Sequence, residues 1–184
     1  MWMSYSRAGC FPLHLLRVIC SIMILMLLLS SCGYHRLETS ADLPDWVKTI
    51  YIEPWENNST ETEMSVWITD ALREEFLRDS GLELVSRDQA DVILAGKVES
   101  VSVSGVAYVS YDRAVEERVS ADMSVRLYDR KTGKEIWKLS DIHREENFYV
   151  SNELMITESL KNEALQKLSR NVAEIIHHRV TNVY

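Results

Sequence analysis

Five apolar residues on alternate positions, Val119, Ala121, Met123, Val125 and Leu127, interleaved with Ser120, Asp122, Ser124 and Arg126, set the tightest limit on what this chain can become. Successive side chains of a strand point to opposite faces, so this segment must bury one face and wet the other. A half-buried strand belongs to a sheet covered on one side, and in this chain amphipathic helices are available as the cover. Two segments supply them. Met64, Trp67, Ile68, Ala71, Leu72 and Phe76 recur at three- and four-residue spacing, as do Leu160, Ala164, Leu165, Leu168, Val172, Ile175 and Ile176.

The rest of the chain fits between these elements. Lys48–Ile52 reads as a first strand closed by a turn at Pro54, Asn57 and Asn58, and Thr60 with Glu63 has the spacing of a capping box at the first helix. Gly81 can end that helix, and Leu82–Ser86 follows as a strand reached by a β-α-β crossover. A longer strand starts at Asp91, with Gly96 and Gly105 marking bends or bulges; Asp129–Gly133 is a hairpin turn, with a returning strand from Lys134. Ser151 or Asn152 caps the last helix. The expected fold is α+β: a two-layer sandwich of about four mixed strands with two amphipathic helices on one face, the other face remaining polar and open to a partner.

Upstream, Arg7 and Arg17 flank the apolar run Val18–Leu29, and Leu29-Ser30-Ser31-Cys32 resembles a bacterial lipoprotein cleavage site. Twelve helical residues cover roughly 18 Å, short of a hydrocarbon core about 30 Å thick. Residues 1–31 are therefore expected to be a signal peptide, 32–45 a lipidated tether and 46–184 a single domain. Acylation of Cys32 with more than one chain gives a stable anchor, since each buried methylene contributes about 0.8 kcal/mol. Gly33 after the cysteine points to the periplasmic face of the outer membrane. Cleavage removes Cys10 and Cys20, so no disulfide is available. It also removes two of 20 basic residues against 28 acidic ones, leaving 18 against 28, a formal charge of −10 that argues against nucleic acid as a partner.

No catalytic motif stands out: there is no phosphate loop, no G-x-S-x-G elbow and no H-E-x-x-H. His177 and His178 diverge by about 100° on a helix and cannot easily share a metal. Asp70 and Glu74 share a helix face but read as solvated charge, and the sequons around Asn57 carry no information in an exported bacterial chain. Tyr128 and Trp137 flank the hairpin turn, where aromatic residues more often pack across strands than stack on a ligand. Arg130, Lys131 and Lys134 form the tightest basic cluster and are candidates for contacting phosphate. No enzyme, cofactor or metal is expected.

Together these segments resemble the LptE family of lipopolysaccharide-assembly lipoproteins. The resemblance is carried by Cys32-Gly33-Tyr34-His35, Leu43-Pro44, Val47–Ile52, Pro54-Trp55-Glu56-Asn57, Ala90–Gly96, the Tyr128–Trp137 hairpin and the last helix. It implies a sandwich that plugs an LptD-type outer-membrane β-barrel, helps it assemble and contacts lipopolysaccharide. It also implies acylation at Cys32 and a basic residue for lipopolysaccharide at Arg113; the family's second position, a lysine before the last helix, has no counterpart in Phe148–Asn152. Arg113, Arg130, Lys131 and Lys134 are thus the candidate ligand-binding residues. The competing reading is a regulatory lipoprotein activating a peptidoglycan synthase, as LpoB-like proteins do.

Overall fold

The computed structural model describes residue 17 and residues 43–78, 81–111 and 113–181. Apart from residue 17, the expected signal peptide lies outside the described residues, as does Cys32. The elements run β1 (Thr49–Ile52), β2 (Glu56–Asn57), α1 (Met64–Arg78), β3 (Glu83–Leu84), β4 (Val92–Ser110), β5 (Arg113–Asp129), β6 (Glu135–Tyr149) and α2 (Leu154–Thr181). The sheet has the order β3-β1-β4-β5-β6, with β2 also paired to β4. β1 is parallel to β3 and β4, whereas β4-β5 and β5-β6 are antiparallel. The α+β sandwich is present, and the crossover through α1 joins parallel strands as the sequence predicts.

Met64, Ile68, Leu72 and Phe76 lie one turn apart on α1 and are buried, each contributing about 1.5–3 kcal/mol by leaving water. The longer α2 buries Leu165, Leu168, Val172, Ile176 and Val180. α1 packs on β1 to β4 and α2 on β5 and β6, so the two helices divide one face of the sheet between them and meet along their length. The alternating residues of β5 are all buried against this layer. No helix among the described residues is long and apolar enough to cross a membrane.

Three local expectations change. The segment Glu56–Asn57, read as turn, returns to the sheet as β2, parallel to Lys97 and Val98 of β4. Thr60 and Glu63 do not form the capping box: Asn57 Oδ1 accepts from the Ser59 amide at 2.9 Å and its Nδ2 donates to Glu61 O at 2.9 Å, so an Asx turn sets the approach to α1. Gly105 adjoins a register shift as predicted, but Gly96 sits in regular pairing with Val125. Its lack of a side chain serves Trp55, whose ring fills that space: a Cβ on Gly96 would lie 2.0 Å from Trp55 Cε2.

Gly81 and Gly133 adopt φ of +63° and +68°, the left-handed conformation their turns require. At α2, Ser151 Oγ accepts from the Glu153 amide at 3.2 Å, and Thr157 Oγ1 accepts from the Ser151 amide at 3.0 Å.

Candidate functional site

The predicted basic residues fall at two ends of one strand. Arg113 opens β5 opposite Ser110, whereas Arg130, Lys131 and Lys134 follow its last residue, Asp129. At about 3.3 Å per residue the two ends are roughly 50 Å apart, so the four do not form one site.

The turn is built from its own backbone. Asp129 Oδ1 accepts from the amides of Lys131 at 2.7 Å and Thr132 at 2.9 Å, and the Gly133 amide donates to Asp129 O at 2.8 Å. Arg130 is committed to the fold: its amide donates to Asp91 O at 3.0 Å and its Nε to Ala90 O at 2.6 Å. Three carboxylates surround the cluster. The Ser86 hydroxyl holds Asp88 below the usual carboxylate range, the Lys48 amide does so for Asp91, and the Thr132 amide for Asp129. Only Lys131 and Lys134 of the three cations are exposed, and their field is offset locally.

At the opposite end, the sequence analysis missed an apolar surface. Val106, Tyr108, Val109 and Tyr111 of the β4-β5 tip are exposed, as are Tyr149 at the end of β6 and Leu154, Met155 and Ile156 at the start of α2. The register joins them, since Tyr149 pairs with Glu116 and Glu116 with Ala107. Alternation in β4 marks these residues as strand. What leaves them uncovered is the distal extent of β4 and β5 beyond the helical layer, which no local pattern encodes. Three register shifts between Gly105 and Ser110 twist the tip, and Tyr108 folds back so that its hydroxyl lies over Gly105.

The uncovered sheet face is polar, as predicted, and extensively connected. Ser100 Oγ donates to Asp122 at 2.8 Å, His143 bridges Asp122 at 2.7 Å and Glu145 at 3.1 Å, and Arg118 bridges Glu145 at 2.9 Å and Asn147 at 2.8 Å. The Asp122 bond, then the Glu145 bond, raise the His143 pKa, which favours an imidazolium donating from both nitrogens. Nearer the turn this face carries a groove of about 320 Å³, with Lys97, Arg126 and Lys138 among its lining residues.

Other motifs are structural. Trp137 is buried in the core and Tyr128 donates to Glu53 Oε2 at 3.3 Å, so they are not a stacking pair. His177 is buried with its ring edge-on to Phe76 at 5.0 Å. Asp70 pairs with Arg73 at 3.3 Å. Among the described residues no His, Cys, Asp and Glu cluster could hold a metal.

The LptE family model, described as lipopolysaccharide-assembly, matches residues 47–180, from the approach to β1 almost to the end of α2. The chain belongs to the LptE family. A solved uncharacterized lipoprotein B from Nitrosomonas europaea shares the LptE chain's fold with a TM-score of 0.53 at 14% identity, over 81% of this chain and 90% of that one. A hypothetical protein from Chlamydia trachomatis aligns with a TM-score of 0.49 at 11% identity, over 74% and 99%. The comparison with curated proteins finds no match. Membership in the LptE family assigns the chain a general role as a lipopolysaccharide-assembly lipoprotein and no catalytic one.

Proposed function

We propose that this LptE-family chain plugs an LptD-type β-barrel, helps that barrel to assemble and assists lipopolysaccharide delivery to the outer leaflet. In this reading residues 1–31 are removed as a signal peptide, Cys32 is acylated, residues 32–45 tether the protein to the periplasmic face of the outer membrane, and 46–184 form the plug. The reading is carried by the family match over both helices and the whole sheet. Two surfaces support it: the exposed apolar tip and the pre-bonded polar face of the sheet. Arg113, Lys131 and Lys134, with Arg130 as a weaker candidate because its Nε is engaged, would act as charge-assisted donors to lipid A phosphates from opposite ends of β5.

The test is affinity capture of the full chain from outer membranes, followed by depletion. Recovery of an LptD-type barrel and loss of surface lipopolysaccharide are the expected results. Capture without such a barrel, with a cell-wall synthesis defect and normal surface lipopolysaccharide, would overturn the proposal in favour of the peptidoglycan-synthase reading.

A further inference from the structure

The open sheet face places like charges directly opposite each other. Arg126 of β5 is the cross-strand partner of Lys138 of β6 and of Ala95 of β4, while Lys97 lies two residues along β4, diagonal to Arg126. A like-charged pair in this position destabilises a sheet. Its neighbours on the same face avoid that arrangement: Arg118 lies on Glu145, His143 between Asp122 and Glu145, and Lys97 on Glu99 at 3.0 Å. Arg126 and Lys138 are exposed and have no ion-pair partner among the described residues; Arg126 lies instead over the Tyr128 ring, 5.7 Å from its centroid.

These cations line the groove of about 320 Å³, a volume suited to a small ligand. Glu53, Glu56 and Glu135 form part of its wall. Glu53 is already held by Arg87 at 2.9 Å and by the Tyr128 hydroxyl. The floor therefore attracts an anion, and the acidic wall disfavours one that is extended and highly charged. A guanidinium fork beside the Lys138 ammonium, with the Lys97 ammonium shared with Glu99, matches a compact tetrahedral dianion better than a single carboxylate, because several oxygens can each accept a charge-assisted hydrogen bond.

We propose that the groove over Arg126, Lys138 and Lys97 binds a single phosphate group, either free or as a monoester headgroup. The site lies on a different part of the sheet from the β4-β5 tip, and binding there can be measured on the chain alone. Occupation relieves the Arg126–Lys138 repulsion, so binding and stability are coupled.

The experiment uses the full chain in dodecylmaltoside at low salt, titrated calorimetrically with inorganic phosphate, dihexanoyl phosphatidic acid or dihexanoyl phosphatidylcholine, and melted with and without each. Phosphate or phosphatidic acid should bind and raise Tm, and phosphatidylcholine should not. Arg126→Gln and Lys138→Gln should each weaken binding about tenfold and raise the ligand-free Tm, whereas Lys131→Gln should do neither. Binding of inorganic phosphate alone identifies a free phosphate as the source; binding of phosphatidic acid alone identifies a lipid headgroup. No binding of either, or binding undiminished in both groove variants, overturns the proposal.

Discussion

Replacing Gly96 by alanine tests the contact that joins two separated segments, Pro54–Asn57 and Ala90–Gly96. The new Cβ would lie 2.0 Å from Trp55 Cε2, 2.3 Å from Cζ2 and 2.4 Å from Cδ2, whereas ordinary contact begins at 3.4 Å. The indole must therefore retreat by at least about 1.4 Å. A radial gap of about 1 Å already forfeits up to half of a dispersion well, so Trp55 loses on the order of half its packing. Complete removal of a buried aromatic side chain costs about 3–5 kcal/mol, which puts Gly96→Ala at about 2–3 kcal/mol, within the range for overpacked cores. At about 2–4 °C per kcal/mol, Tm should fall by about 4–12 °C. Trp55→Ala alone should cost about 3–5 kcal/mol. In the double variant the alanine meets no ring, and relief of glycine's conformational entropy makes Gly96→Ala neutral or stabilising by up to about 1 kcal/mol. Urea denaturation followed by far-UV circular dichroism gives all four stabilities. Additive costs would refute the argument, because they would mean that the indole is not what the methyl strikes.

Thr69 Oγ1 accepts from the buried Trp55 amide at 3.0 Å and donates to Ser65 O at 2.6 Å, so Thr69→Val should cost about 1–3 kcal/mol in the same denaturation assay. Arg130→Ala should lower Tm because it removes the bond to Ala90 O, while Lys131→Ala should leave Tm unchanged in thermal scans. Because the pKa of His143 is raised in the fold by Asp122 and Glu145, its contribution to stability is complete below the unfolded value of about 6.5 and is lost as pH rises through the folded value. His143→Gln should therefore flatten the decline in urea midpoint across that window; an unchanged slope would rule out this linkage. Tyr108→Ser with Val109→Ser should reduce barrel capture severalfold while leaving Tm within about 2 °C, since both residues are more than half exposed; equal capture by wild type and variant would exclude the tip as a contact.

The helices, the buried face of β5 and both positive-φ glycines were legible because each rests on a periodicity or a local backbone requirement. Met64, Ile68, Leu72 and Phe76 declare a helix wherever the helix is placed. β2 was not legible: its two residues pair only because Trp55, seated on Gly96, brings the chain back to β4. The same distinction separates the candidate sites. Arg130, Lys131 and Lys134 are close in sequence and therefore visible, yet Arg130 is spent on Ala90 and three aspartates surround the turn. Arg126 and Lys138 belong to different strands and become neighbours only through the β5-β6 register, which a shift opposite Asp141 helps to set. The apolar tip was hidden for a related reason, since exposure depends on where α2 begins rather than on the strand's own pattern.

The separation between the two ends of β5 also has a mechanical consequence. Among the described residues no further strand flanks the outer edge of β4 beyond Asn57, so its last dozen residues are carried by β5 and β6. Anchored at the turn end and free at the other, this three-stranded arm is a lever. A tilt of about 10° at its base would carry Tyr111 through about 7 Å over an arm of roughly 40 Å. A small rotation where the helices grip the sheet thus becomes a movement wider than a side chain at the apolar tip, and whatever holds that tip also fixes the angle of the whole sheet.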